Sequence, residues 1–140
     1  MADPIDSDPS SGQQGRGAAI LRMAGDERAQ EAVLVLSSVP DALLAKRIAH
    51  VLIEERLAAC VNLGAPGLSM YMWQDTLEGT EEIPLVAKTT RERLQALADR
   101  LWQLHPYEVP EILVVPVLGG LAGYMDWMRE QIAAPPRHKE

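Results

Sequence analysis

The sequence predicts an α+β fold, and three observations lead to that prediction. Continuous apolar runs at 32–37, 58–63 and 112–117 are typical of strands covered on both faces. Stretches with helical spacing separate and follow these runs. Of the 140 residues, 47% are hydrophobic, which is enough for one domain with a core of its own.

The first half of the domain reads as strand, helix and strand. The apolar run Ala32–Ser37 is the first strand, and Ser38 with Asp41 resembles a capping box that starts a helix. That helix carries an apolar stripe at Leu44, Ile48, Val51 and Leu52. A long second strand follows from Ala58 to Gln74, and the break at 64–67 predicts a bulge or kink within it.

The second half continues as strand, helix, strand and helix. Thr76–Glu81, with Gly79, predicts a hairpin turn, and Ile83–Thr89 predicts the third strand. Thr89 and Glu92 form a capping box before the next helix. The fourth strand is expected at Ile112–Val117. The apolar stripes of the last two helices are Leu94, Leu97, Ala98, Leu101 and Leu104, and Leu121, Tyr124, Met125, Met128 and Ile132.

The order β-α-β-β-α-β is that of a ferredoxin-like sandwich, here with an extra C-terminal helix. Residues 1–29 are expected to form a disordered leader, 30–134 the domain and 135–140 a polar tail. Two helices cover only one face of such a sheet, yet the first and fourth strands are apolar on both faces. An uncovered apolar sheet face marks an interface, so a homo-oligomer of closed symmetry is expected.

Charge and composition exclude several classes of protein. A formal charge of −7 argues against nucleic-acid binding, which depends on Lys and Arg at phosphates. The single cysteine, Cys60, rules out an intramolecular disulfide framework and suits a reducing compartment. No apolar run approaches the roughly 20 residues that cross a bilayer, and the start lacks the features of a signal peptide. A cytoplasmic protein without membrane contact is therefore expected.

The segment His105–Glu111 is the strongest candidate for a site. It contains an imidazole, a phenol and two carboxylates, all of them between or next to Pro106 and Pro110. Each proline restricts the backbone. Stiffly held polar groups at the entrance to a strand are typical of a site on a loop. They are equally typical of a rigid connector, in which His105 ends the preceding helix.

Several separated motifs show a resemblance to a known family. They are Leu57-Ala58-Ala59-Cys60-Val61-Asn62, Ser69-x-Tyr71-x-Trp73, Lys88-Thr89, the segment 105–111, and Tyr124-x-x-Trp127. In this order and spacing the chain resembles the CutA family of divalent-cation tolerance proteins across roughly residues 32–133. The resemblance implies a compact homotrimer similar to PII-like signalling proteins, tolerance of divalent metals (copper above all), and no catalytic reaction.

The resemblance and the ligand chemistry together nominate His105, Glu108 and Cys60 as metal ligands. Imidazole binds copper, zinc and nickel, of which copper is expected first, and a thiolate suits Cu(I). Structural roles are the alternative for each residue, since free cysteines are commonly buried. Some relatives carry a cysteine where this chain has Ser37, and a second histidine where it has Leu104. A thiolate–histidine site at those positions cannot form here.

A pocket between subunits is the second candidate site. Its predicted lining is Tyr71, Trp73, Lys88, Tyr107, Glu111 and Trp127. Aromatic walls with a few polar groups describe a small-molecule site, and they also describe interface packing. The alternative function is therefore a signalling or adaptor trimer that binds a small metabolite. An enzyme built on Cys60 and His105 ranks last, because no known catalytic motif accompanies them.

Overall fold

A computed structural model describes residues 21–23 and 32–136. The elements in chain order are β1 (Leu21–Met23), β2 (Ala32–Val39), α1 (Ala42–Glu54), β3 (Cys60–Leu63), β4 (Gly67–Trp73), β5 (Thr76–Thr90), α2 (Arg91–Leu104), β6 (Leu113–Pro116), β7 (Gly119–Leu121) and α3 (Ala122–Ala133). The predicted α+β class is confirmed, and the predicted order of strands and helices holds from β2 to α3 except that the short strand β7 was not predicted. No helix in the described part has both the length and the apolar character needed to span a membrane.

The main sheet is antiparallel, with the strand order β3-β5-β2-β6. β4 pairs with the first part of β5, which extends beyond the main sheet, so β4 and β5 form a projecting hairpin. β3 and β4 follow β5 one after the other, separated by the break at 64–66, where the Gly64 amide still donates to the Pro84 carbonyl at 2.9 Å. The prediction of one long, interrupted strand is therefore confirmed.

Helices α1 and α2 cover one face of the sheet. Val35, Leu85 and Ala87 point from the strands into this layer, and Ile48 and Leu101 meet them from the helices. All five are almost fully buried because alternate strand residues share a face and helix residues three or four apart share a stripe. This layer is the main core of the domain.

The opposite face of the sheet, called here the open face, has only partial cover. Helix α3 packs Met125, Met128 and Ile132 against Ala32 and Ala59 at one end. The rest of the face carries side chains that stay partly or largely exposed: Leu34, Leu36, Val86, Leu113 and Val115. One short helix thus leaves much of the face uncovered, as the apolar patterning of the strands predicts.

The hairpin turn lies elsewhere than predicted. Thr76–Glu81 belongs to β5, and the reversal occurs at Gln74 and Asp75, whose φ angles are 49° and 64°. Positive φ at both central residues defines the tight turn that matches the twist of paired strands. The prediction was wrong because Gly79 was read as a turn residue, whereas it lies within the strand opposite Met70. Gln-Asp is not the Asn-Gly or Asp-Gly pair that normally marks such a turn.

Two further expectations are corrected at the start of the domain. Leu21–Met23 forms a strand paired with Gly119–Leu121, so this part of the predicted leader has regular structure. Three residues are too few to show the periodicity of a strand. Their hydrogen bonds are made with a partner strand that lies far away in the sequence. The remainder of the leader and residues 137–140 lie outside the described residues.

The predicted capping box of Ser38 and Asp41 is the second corrected expectation. Asp41 alone caps α1, where its carboxylate accepts a hydrogen bond from the Leu44 amide at 2.8 Å.

Candidate functional site

Hydrogen bonds from the end of β2 hold the loop between α2 and β6 in position. The buried Ser37 hydroxyl donates to the Glu111 carbonyl at 2.7 Å, and the Ser38 carbonyl accepts from His105. From the helix side, the Trp102 indole donates to the Glu108 carbonyl at 3.2 Å. The loop is therefore held at its beginning, middle and end, which agrees with the stiffness predicted from its two prolines.

His105 ends α2 and uses both of its ring nitrogens inside the chain. Nε2 lies 2.7 Å from the Ser38 carbonyl oxygen, which can only accept, so Nε2 carries the proton. Nδ1 accepts from the Tyr107 amide at 3.1 Å and is therefore unprotonated. The ring is 7% exposed. With this geometry His105 has no lone pair free for a metal, and its role in the chain is to shape the loop.

A groove opens between the loop and the root of the β4–β5 hairpin. It has a cavity volume of about 390 Å3. Its lining residues are Ser38, Ser69, Met70, Tyr71, Glu82, Tyr107, Val109 and Glu111. The sequence-predicted residues Tyr71, Tyr107 and Glu111 thus meet at one groove within a single chain. The volume falls in the range of small-molecule sites, about 300–1,000 Å3.

Tyr107 and Glu82 connect the two walls of the groove. The Tyr107 hydroxyl donates to Glu82 Oε2 at 3.1 Å. Partial burial raises the pKa of Tyr107 above its usual 10.0, and the hydrogen bond to the Glu82 carboxylate adds to the rise. Tyr71 is held separately by a 2.7 Å hydrogen bond between its hydroxyl and that of Thr80. Both phenols therefore have fixed positions.

The hairpin and the loop around the groove carry carboxylates and no lysine or arginine in the segments that form them. Neither 57–87 nor 101–128 contains a lysine or an arginine. These two segments supply the loop and every lining residue of the groove except Ser38, and Glu82 and Glu111 are its carboxylates. The groove therefore attracts cations and repels anionic ligands such as nucleotides.

The other predicted pocket residues lie near the two ends of β5, with Lys88 and Trp127 at one end and Trp73 at the other. The Lys88 ammonium donates to the Tyr124 hydroxyl at 3.2 Å, and the Tyr124 ring stacks on Trp127 with centroids 5.6 Å apart. Trp73, 60% exposed, stands at the hairpin tip opposite Thr76. Thr76 and Lys88 are twelve residues apart (88 − 76) on one strand, or about 40 Å. A single chain therefore does not join Trp73, Lys88 and Trp127 to the groove.

The three predicted metal ligands do not converge either. Cys60 lies opposite Lys88, whereas His105 contacts Ser38 at the level of Pro84, four residues (about 13 Å) away along β5. The Cys60 thiol faces the Asn62 side chain at 3.9 Å, and the Glu108 side chain is exposed. In the described ranges, no three His, Cys, Asp or Glu side chains are grouped as metal ligands. The described residues of one chain do not form a closed metal site.

Sequence reasoning missed five of the eight lining residues of the groove, which are Ser38, Ser69, Met70, Glu82 and Val109. Glu82 was not nominated at all, and Ser38 was considered only as part of a capping box. Ser37 was noted for lacking a thiol, and its hydrogen bond to Glu111, 74 residues away, was not foreseen. No local pattern announces such long-range contacts.

Comparisons with known proteins agree on one family. The model of the CutA1 divalent ion tolerance protein family matches residues 33–131. The divalent-cation tolerance protein CutA of Thermus thermophilus is 47% identical over 98 residues, covering 69% of this chain and 94% of that protein.

Two solved structures extend the match to the fold. The crystal structure of CutA from Xylella fastidiosa has a TM-score of 0.72 and 41% identity, over 73% of this chain and 98% of that one. CutA from Synechococcus elongatus, solved in complex with a Bis-Tris molecule, has a TM-score of 0.71 and 32% identity, over 80% of this chain and 99% of that one. The chain belongs to the CutA1 family of divalent ion tolerance proteins.

Proposed function

We propose that this protein is a homotrimer that binds a divalent cation and acts in metal tolerance, with copper as the first candidate. Family membership is the observation that carries the proposal. We propose no catalytic reaction for it. The strand order β6-β2-β5-β3, with α1 and α2 on one face, supports a ferredoxin-like description of the subunit.

Exposed apolar surface supports self-association. On the hairpin, Leu68, Met72 and Leu77 are largely exposed, and on β6 Leu113 and Val114 are exposed as well. β6 is also an edge strand of the main sheet within the described part, so its outer backbone groups are available to a further strand. Contiguous apolar patches next to a free edge are typical of protein interfaces.

The acidic groove supports cation binding. Glu82 and Glu111 line it, Tyr107 adds a phenol, and no basic side chain is among its lining residues. Two carboxylates in one chain are too few for a closed site, so we propose that a neighbouring subunit completes the set of ligands. Glu108, on the same loop, is close in sequence to both Tyr107 and Glu111, and is the predicted ligand that remains available for this role.

Calorimetry tests the proposal directly. CuCl2, ZnCl2 and NiCl2 are titrated into the full-length protein, and saturable binding of Cu2+ with one ion per chain is expected. A Glu82→Gln/Glu111→Gln variant should bind Cu2+ at least tenfold more weakly. A Glu92→Gln/Glu130→Gln variant removes the same charge from two helices away from the groove and should bind normally. Absence of heat with all three ions, or equal affinity in the two variants, would contradict the proposed site.

A small-metabolite-binding signalling or adaptor trimer is the second candidate. The Synechococcus elongatus structure in complex with Bis-Tris favours it, as does the volume of the groove. Thermal-shift screening against a library of small amines, polyols and carboxylates tests this function. A stabilising hit that Tyr107→Phe abolishes would support it, and a screen without hits would count against it.

A further inference from the structure

Of the three described helices, α3 has the weakest stabilisation from its own sequence. α1 has the Asp41 cap, and α2 has Glu92 in its first turn. The first turn of α3 contains no acidic residue, its last turn contains no basic residue, and its N-cap residue Leu121 makes no side-chain hydrogen bond. Gly123 lowers the helix propensity further. A helix of 12 residues with these features is marginal in water, so α3 depends on contacts with other elements.

Two arginines from outside α3 hold its C-terminal end. Arg93 of α2 donates from Nη2 to the Ile132 carbonyl at 3.3 Å, and this carbonyl is one of the last four of α3, which have no partner within the helix. Arg56, just beyond α1, donates to the Pro135 carbonyl at 3.3 Å and to Gln131 Oε1 at 3.4 Å. Both guanidinium groups also place positive charge at the end of α3 where the helix dipole favours it.

Arg56 makes these contacts from a backbone conformation that normally belongs to glycine. Its φ angle is 58°, and it follows the last turn of α1, where the Leu57 amide donates to the Leu52 carbonyl at 2.9 Å. Glycine is preferred at this kind of helix ending, because other residues are strained in the left-handed region. The backbone at Arg56 is therefore less favourable than it would be with glycine, while the arginine side chain holds α3.

Thr90 also makes the docked position of α3 less favourable. Thr90 is directly opposite Ala32 in the sheet, and Ala32 packs against α3. Directly opposite residues share a face, so Thr90 lies on the face that α3 covers. The residue is 4% exposed, it does not cap α2, and its hydroxyl finds no hydrogen-bond partner among the described residues. A buried hydroxyl without a partner is unfavourable, and water can reach it once α3 moves away.

We propose that α3 is a strap that moves between the docked position seen here and a released state. Burial of Met125, Met128 and Ile132 favours docking, and so do the contacts of the two arginines. The strained backbone at Arg56 and the unpaired Thr90 hydroxyl oppose docking. Because these contributions oppose each other, release of α3 requires less free energy than release of α1 or α2, which cover the main core.

Release of the strap uncovers one end of the open face. Ala32 and Ala59 lose their cover, and the Lys88 ammonium loses its hydrogen bond to the Tyr124 hydroxyl. The strap therefore controls how much apolar sheet surface the chain presents. Its movement needs no metal, so the inference does not depend on the proposed cation binding.

Hydrogen–deuterium exchange of the full-length protein, with mass spectrometry of peptides from α1 and α3, measures the release. A released helix of this length unfolds in water, so its amides exchange. The forms compared are wild type, Arg93→Gln, Arg56→Gly, Thr90→Val and the control Arg47→Gln, which removes an exposed arginine of α1. Sedimentation velocity on each form at the same chain concentration checks that assembly is unchanged.

In wild type, the amides of α3 should exchange about tenfold faster, or more, than those of the buried part of α1. Arg93→Gln should speed the exchange of α3 about threefold or more, and Arg47→Gln should leave it unchanged. Arg56→Gly should speed the exchange of α3 to a similar extent without speeding that of α1, because glycine suits the end of α1. Thr90→Val keeps the side-chain shape and removes the unpaired hydroxyl, so it should slow the exchange of α3 about threefold or more.

The proposal is overturned if α3 of the wild type exchanges as slowly as α1, because α3 would then open only with the whole domain. It is equally overturned if Arg93→Gln and Arg56→Gly leave the exchange of α3 unchanged, or if Thr90→Val fails to slow it. Faster exchange of both helices in Arg56→Gly would also count against the strap, because Arg56 would then stabilise the whole domain.

Discussion

Replacing His105 with alanine should destabilise the chain far more than replacing the exposed His50. The His105 ring makes two hydrogen bonds, to the Ser38 carbonyl and from the Tyr107 amide, each worth about 1 kcal/mol net. The cavity left by a ring that is 7% exposed adds about 1–2 kcal/mol. The expected loss in the free energy of unfolding is therefore about 3 kcal/mol. His50 makes one surface contact with Glu54, so its removal should cost less than about 0.5 kcal/mol.

Urea unfolding at a fixed chain concentration and without added metal measures both effects. A His105→Asn variant retains an acceptor for the Tyr107 amide and should lose about half as much as the alanine variant. If His105→Ala loses less than 1 kcal/mol and behaves like His50→Ala, the loop is not held in the way described. In that case the imidazole would be free to act as a metal ligand.

Three shorter predictions concern the hairpin and the groove. Because burial raises the pKa of Tyr107, the folded chain holds the phenol proton more tightly than the unfolded chain does. The free energy of unfolding should therefore fall as pH rises above 10. Urea titrations of the Tyr107→Phe variant should show a smaller fall. Gln74→Asn/Asp75→Gly should stabilise the chain by about 1 kcal/mol in the same assay, since both positions have positive φ; a loss of stability would contradict the assigned turn. Trp73→Ala should weaken trimer formation by about 2 kcal/mol or more in sedimentation equilibrium, and an unchanged association constant would show that Trp73 stays in water in the assembly.

The sequence was sufficient for those features that depend on local patterning. Apolar runs and helical stripes predicted the order of elements, because strand and helix periodicities differ clearly over six to twelve residues. The exposed apolar face could also be predicted from patterning, because β2 and β6 carry apolar side chains on both of their faces. The turn at Gln74–Asp75 could not be predicted, because Gln does not favour positive φ and Gln-Asp is not one of the residue pairs that mark such a turn.

The candidate site was predictable only in part. Tyr71, Tyr107 and Glu111 were nominated together and do line one groove. Lys88, Trp73 and Trp127 were nominated with them and lie away from the groove, because sequence spacing does not reveal that Trp73 and Lys88 fall near opposite ends of the long strand β5. His105 was selected for its chemistry. One of its two hydrogen-bond partners, the Ser38 carbonyl, lies 67 residues earlier on β2 and could not be foreseen from local sequence. Roles that rest on a neighbouring subunit stay predictions.

Sedimentation velocity on the full-length protein, from 1 to 50 µM chains, tests the central claim most directly. The claim is that copies of the chain cover the apolar hairpin, the β6 edge and the open face of the sheet. A single species with the mass of three chains, unchanged across this range and in the presence of EDTA, is the predicted result. A folded species with the mass of one chain at 50 µM would contradict the account, and the proposed completion of the cation site by a neighbouring subunit would be lost with it.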